Sequence, residues 1–95
     1  MIRMFSVLAL LSLTSVAMSD TYTISTSGYS FDPPTLDVQP GDEISFVIGA
    51  GHTATSGSSC TSDGLFDSSS SFTWIVPGST AGTTIDYFCD PHCAM

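Results

Sequence analysis

The sequence has almost no positive charge. Among its 95 residues there is a single Lys or Arg, against nine Asp and Glu, and the formal net charge is −8. Nucleic-acid binding needs Lys and Arg contacts to phosphate, so we expect none, and we expect no attraction to anionic membranes. The acidity favours a basic protein partner; it is equally compatible with a role in solubility alone or with a salty habitat.

The sequence also lacks an apolar run long enough to cross a bilayer, since residues 4–17 are fewer than the roughly 20 that a membrane helix needs. Arg3 precedes this run, and residues 17–19 (Ala-Met-Ser) have the small-x-small form of a signal-peptidase site. We therefore predict a signal peptide over residues 1–19, followed by export to a periplasm, the exterior or an organelle lumen. Residues 20–95 are enough for one domain and no more.

No segment has the apolar periodicity of an amphipathic helix. Apolar and polar residues instead alternate in short segments, which predicts strands with one apolar face. These segments contain Tyr22 and Ile24; Leu36 and Val38; Ile44, Phe46 and Ile48; Phe72, Trp74 and Val76; and Ile85, Tyr87 and Cys89. Residues 39–42 (Gln-Pro-Gly-Asp) have the composition of a type II turn. Several short strands at this spacing predict an all-β sandwich.

The stretch from Gly57 to Ser71 has the weakest pattern after the signal. It is rich in Ser and Gly and interrupts the alternation of apolar and polar residues. We interpret it as a flexible loop, with Cys60 inside it.

The last seven residues hold three kinds of soft metal ligand. Cys89 has the inward parity of its strand, and Pro91 then forces the chain into a loop. We expect this loop to bring His92 and Met95 back towards the sulfur. His52 supplies a second imidazole, and the His₂Cys set with a weak axial Met suits copper.

In this order the residues resemble the cupredoxins, the small blue-copper electron carriers, and specifically the plastocyanin, amicyanin and pseudoazurin group. The resemblance covers residues 28–95 and includes the Pro-Gly-Asp turn, a lone His52 upstream, and the C-x-x-H-x-x-M ending. It implies a Greek-key β-sandwich with one type 1 copper ion at one end. The implied ligands are His52, Cys89 and His92.

The resemblance leaves two alternatives for the axial ligand. In the amicyanin spacing, C-x-x-H-x-x-M, Met95 is the axial ligand. In the longer C-x-x-H-x-x-M-G-M loop of pseudoazurins, the second Met is the axial ligand, and this sequence stops before a second Met. In the family a further strand then pairs beside the Cys-bearing strand. We therefore expect the chain to be incomplete and residues 83–88 to form an open sheet edge.

The other two cysteines are interpreted with the same family. If Cys89 is a metal thiolate, Cys60 and Cys93 remain, and an exported protein is expected to pair them. In the phytocyanins, which are cupredoxins too, a Cys directly after the ligand His forms such a bridge, and Cys93 resembles it.

Two residues depart from the family. Thr53 stands where many members have an Asn that helps hold the two ligand loops together, and Asp90 stands where Thr is frequent. Both positions affect hydrogen bonding around the sulfur, so the resemblance does not give the reduction potential.

The function implied is transfer of single electrons between redox partners, by a monomer and without an enzymatic reaction. Electrons would leave through the exposed edge of His92, with Pro91 and Ala94 among the residues that meet a basic partner protein.

Other functional classes stay open at this point. One is a copper store, or a zinc site made by Cys60, Cys89, His92 and Cys93, which would leave His52 without a role. Another is a thiol oxidoreductase using Cys89 and Cys93, although their spacing is not that of the redox motif. The last is a cell-surface module of the same fold that has lost copper.

Overall fold

The structure is a computed structural model that describes residues 2–7 and 19–93. In these ranges the chain forms nine strands and two short 3₁₀ helices, Gly78–Thr80 and Asp90–His92. The strands are β1 (Ile2–Val7), β2 (Thr21–Ser27), β3 (Ser30–Asp32), β4 (Thr35–Val38), β5 (Glu43–Val47), β6 (Ala54–Ser58), β7 (Thr61–Ser68), β8 (Phe72–Ile75) and β9 (Thr84–Phe88). The predicted all-β class is confirmed.

The strands form two sheets with a shared apolar core. One sheet has the order β4-β1-β9-β6-β7 and the other the order β3-β2-β5-β8. Ile24, Ile44 and Phe46 of the second sheet and Ile85 and Tyr87 of the first are buried in one cluster. Each alternating segment of the sequence contributes a strand, because alternate residues of a strand face the same side. The Greek-key connectivity stays a prediction.

The turn before β5 has the predicted form. The Asp42 N–H donates to the Gln39 carbonyl at 3.1 Å, and Gly41 has φ +90°, as a type II turn requires at its third position. The buried Asp42 carboxylate also accepts from the N–H groups of Gln39 at 2.8 Å and Asp20 at 2.9 Å. Asp42 therefore ties the start of β2 to this turn.

β1 lies inside the five-stranded sheet. It runs parallel to β4 and antiparallel to β9, with Ile2 opposite Phe88 and Val7 opposite Val38. The expectation that residues 83–88 form an open edge is wrong in this structure, because β1 hydrogen-bonds along the side of β9 that faces away from β6. Apart from β1 and Ser19, the predicted signal peptide lies outside the described residues.

Among the residues that the structure describes, no helix has the length and apolarity to span a membrane.

β6 and β7 form a hairpin, so the interpretation of Gly57–Ser71 as a flexible loop is wrong. Ser59 and Cys60 make the turn, and both have positive φ (53° and 60°), as a type I′ turn requires. β7 is an edge strand whose side chains are mostly exposed, with Phe66 buried. Backbone pairing with β6 forms this strand, and an exposed edge strand needs no apolar alternation.

Candidate metal centre

Three side chains with metal-binding donors meet at one end of the sandwich. Cys89 directly follows β9, His92 ends the 3₁₀ helix Asp90–His92, and His52 lies in the connection between β5 and β6. Their donor atoms all lie within 4.8 Å of one another. The structure therefore brings together the three metal ligands that the sequence predicted with most support.

Strand parity and a proline position Cys89 and His92. Cys89 continues the buried face of Ile85 and Tyr87 and is itself fully buried. Pro91 stands in the first turn of the following 3₁₀ helix, where its missing N–H is not needed. The His92 N–H donates to the Cys89 carbonyl at 3.2 Å, which closes this turn and returns the imidazole towards the sulfur.

A tight loop positions His52. The His52 N–H donates to the Gly49 carbonyl at 3.2 Å, and Gly51 between them has φ +80°, which favours glycine. The Gly49 N–H in turn donates to the Thr26 hydroxyl at 2.8 Å. The loop is thereby fixed to β2, and His52 is held in half-buried surroundings.

The two distances from the Cys89 sulfur fit a single ion. The Cys89 Sγ lies 3.7 Å from His52 Nδ1 and 3.4 Å from His92 Nδ1. Bond lengths of about 2.3 Å to sulfur and 2.0 Å to nitrogen place such atoms about 3.5 to 3.7 Å apart in tetrahedral or trigonal geometry. The sulfur and each imidazole are therefore spaced as they would be around one ion, and a thiolate with two imidazoles suits a soft transition metal.

Thr53 joins the two ligand loops. Its N–H donates to the Cys89 Sγ at 3.4 Å, and its hydroxyl oxygen accepts the Asp90 N–H at 2.8 Å. Thr53 follows His52 directly and Asp90 follows Cys89 directly, so one residue fixes the relative position of both ligands. The sequence identified Thr53 as a departure from the cupredoxin pattern at a position where an Asn often joins the ligand loops, and in this structure the threonine makes such a link.

The predicted Cys60–Cys93 disulfide is present. Its S–S distance is 2.11 Å and its Cα–Cα distance is 5.8 Å. It joins the turn of the β6–β7 hairpin to the residue after His92. Cys89 is the free cysteine of the described residues. The zinc alternative therefore loses two of its four ligands, and Cys93 is paired with Cys60 instead of being a redox partner of Cys89.

Sequence reasoning missed Tyr29. It lies between β2 and β3 after Gly28, which has φ +58°, and its side chain is 62% exposed. Its ring centroid is 4.9 Å from that of His92, in an edge-on arrangement at 75°. The His52 and His92 rings lie 4.8 Å apart. An exposed aromatic after a turn glycine is a weak signal of a site, and nothing in the sequence connects it with His92.

Met95 and Ala94 lie outside the described residues, so the axial position and one side of the surface around His92 stay predictions. Pro91, beside His92, is exposed as predicted.

No known protein family, curated protein or solved structure matches this chain. The resemblance to cupredoxins therefore rests on the motifs of the sequence and on the site geometry described above.

Proposed function

We propose that this chain is an exported blue-copper protein of the cupredoxin type, which carries single electrons and catalyses no reaction of its own. The observation that carries this proposal is the cluster of His52, Cys89 and His92, whose donor atoms lie within 4.8 Å of one another. The His₂Cys set is typical of blue-copper sites. Bound copper would supply a one-electron couple, Cu(II)/Cu(I), at this position.

The protein contributes a fixed and largely dry set of ligands. Cys89 is fully buried, so water does not compete for the ion on that side. The Thr53 N–H aimed at Sγ stabilises negative charge on the sulfur, and hydrogen bonds of this kind tune the potential of a metal site. Ligands held by a β-strand and two short loops change little in position when an electron is gained or lost, which favours rapid transfer.

The surface around His92 supports electron exchange with a partner. His92 is half-buried, and Tyr29 and Pro91 beside it are exposed. An aromatic ring and a proline next to a ligand imidazole give a small uncharged patch, with the exposed Asp90 beside it, on which a second redox protein can approach the site. Met95 is proposed as the axial ligand, on its spacing in the sequence.

The Cys60–Cys93 bridge supports export, because disulfides persist mainly in oxidising compartments.

The test is the absorption spectrum of the purified protein titrated with Cu(II). We expect one equivalent to bind and to produce an intense visible band from charge transfer between the Cys89 sulfur and copper, which disappears on reduction. Zinc, as a matched ion without this transition, should bind without colour. A protein that stays colourless with Cu(II), or that binds copper without a reversible one-electron couple, contradicts the proposal.

The acidic surface gives a prediction for electron-transfer rates. Reduction of the copper-loaded protein by hexaammineruthenium, a cation, should slow as salt rises from 0.1 M to 1 M, because the Debye length falls from about 10 Å to about 3 Å. Oxidation of the reduced protein by hexacyanoferrate, an anion, should accelerate over the same range. Stopped-flow spectroscopy measures both rates.

Two variants locate the charge that matters. Asp90→Asn removes an exposed carboxylate next to Cys89. Asp37→Asn removes an exposed carboxylate far from the site. In the sheet, Asp37 is level with Thr84, because both lie opposite Ser6 of β1, and Thr84 is at the opposite end of β9 from Cys89. Asp90→Asn should weaken the salt dependence more than Asp37→Asn does. Rates that are independent of salt for both reagents would show that the acidic surface does not steer the approach.

A further inference from the structure

A chain of hydroxyl groups leads from the metal loops to a carboxylate on the neighbouring hairpin. The Asp90 N–H is 2.8 Å from Thr53 Oγ1, which is 3.0 Å from Thr55 Oγ1. Thr55 Oγ1 is in turn 2.8 Å from Asp67 Oδ1. All three distances are within the ordinary range of hydrogen bonds.

The chemistry of the groups fixes the direction of every bond in this chain. A carboxylate oxygen only accepts, so the Thr55 hydroxyl donates to Asp67. Having used its one proton there, Thr55 can only accept from Thr53. Thr53 has thereby used its own proton, so its oxygen is left to accept the Asp90 N–H, which can only donate. The carboxylate at one end thus directs the Thr53 proton towards Thr55, which leaves a lone pair of the Thr53 oxygen for the Asp90 N–H.

The fold explains why these side chains line up. Thr53 and Thr55 are two apart in an extended segment, so they face the same side. Thr55 on β6 lies directly opposite Asp67 on β7. The Thr55 side chain is buried, whereas Asp67 is exposed on this edge strand. Hydrogen bonds that run in one direction polarise one another and are strengthened by a charged end.

We propose that Thr55 and Asp67 are positioning residues of the metal centre, which act through Thr53 and touch no ligand themselves. They hold the Thr53 hydroxyl as an acceptor for Asp90, and so hold the loop after Cys89 against the loop that carries His52. The part of this inference that concerns copper rests on the proposed function; the part that concerns the loops does not.

The test replaces one hydroxyl by a methyl group of the same shape. Thr55→Val should bind copper about tenfold more weakly, at the lower end of the range for loss of a hydrogen-bond partner behind a metal ligand. It should also shift the reduction potential and the visible band. Thr55→Ser, which keeps the hydroxyl, should restore all three. Thr73→Val, an exposed threonine on β8 in the other sheet, is the matched control and should resemble the unmodified protein.

A second measurement needs no metal. In the copper-free protein the Asp90 amide proton should exchange with solvent about tenfold faster in Thr55→Val, which corresponds to loss of about one hydrogen bond. Asp67→Ala, at an exposed position that cannot collapse the core, should have the same effect, whereas Asp67→Asn keeps an acceptor and should not. Two-dimensional NMR resolves this amide.

The outcomes separate this inference from the proposed function. If the unmodified protein binds copper with the expected colour, and Thr55→Val and Asp67→Ala leave affinity, potential and Asp90 exchange unchanged, the positioning role is overturned and the function stands. If copper does not bind at all, the function fails, and amide exchange alone decides the inference: faster exchange in both variants supports the link, and unchanged exchange overturns it.

Discussion

Replacing Cys89 with Ser should abolish the visible band of the copper-loaded protein and weaken copper binding by more than 100-fold. Loss of a residue that hydrogen-bonds to a metal ligand typically lowers metal affinity by roughly 10- to 100-fold. We expect a larger loss of affinity here, because the ligand itself is removed. Serine has nearly the same shape, but its hydroxyl is a poor soft donor and gives no sulfur-to-copper charge transfer. Competition with a chelator of known affinity measures the binding, and absorption spectroscopy measures the band.

The other two cysteines provide a control for this result. The double variant Cys60→Ser/Cys93→Ser removes the other two cysteine sulfur atoms and leaves Cys89 in place. It should keep the visible band, even where its affinity falls. A Cys89→Ser protein that is still coloured, or a double variant that has lost its colour while remaining folded, would place the metal on different sulfur atoms and contradict the site.

Loss of the Cys60–Cys93 disulfide should destabilise the copper-free protein by about 3 to 4 kcal/mol in the chain-entropy model, given the separation of 33 residues. That is roughly a 100- to 1,000-fold change in the unfolding equilibrium. It is also a large share of the ~5 to 15 kcal/mol that stabilises a typical domain. The reason is that an unbridged denatured chain has more conformations to lose on folding.

Urea unfolding of the Cys60→Ser/Cys93→Ser protein measures this difference. With slopes typical of small proteins, the midpoint should fall by roughly 1 to 4 M. Unmodified protein treated with a reductant is the matched comparison, since Cys89 is a free thiol in both states. Coincident unfolding curves for bridged and unbridged protein would mean that the disulfide contributes nothing to stability and serves only to hold the loop after His92.

The sequence predicted those parts of the fold that depend on local alternation. Ile85, Tyr87 and Cys89 share a parity, and because the β9 face that they occupy is packed against the other sheet, all three are buried. Parity therefore predicted correctly that the Cys89 side chain is buried. The same argument fails for β7, because most of its side chains are exposed and show no apolar alternation. Its backbone nevertheless pairs with β6 on both sides of an irregularity between Thr55 and Gly57.

Local alternation carries no information on hydrogen bonds and ring contacts between residues far apart in the chain. The Thr53 hydroxyl and the Asp90 N–H are separated by 37 positions, and their bond exists only because the sandwich brings two loops to one end. Tyr29 reaches His92 for the same reason. β1 is a similar case: an apolar stretch is typical of both a signal peptide and a buried strand, and only its pairing with β4 and β9 distinguishes the strand.

The position of β1 also constrains the order of events during synthesis. It precedes every other strand that the structure describes, yet it pairs with β9, where Ile2 is opposite Phe88. Contacts of such long range slow folding, and this sheet cannot close until nearly the whole chain has emerged. Once the sheet has closed, β4 and β9 pair with both sides of β1, so recognition of these six residues as part of the predicted signal peptide would have to precede folding of this sheet.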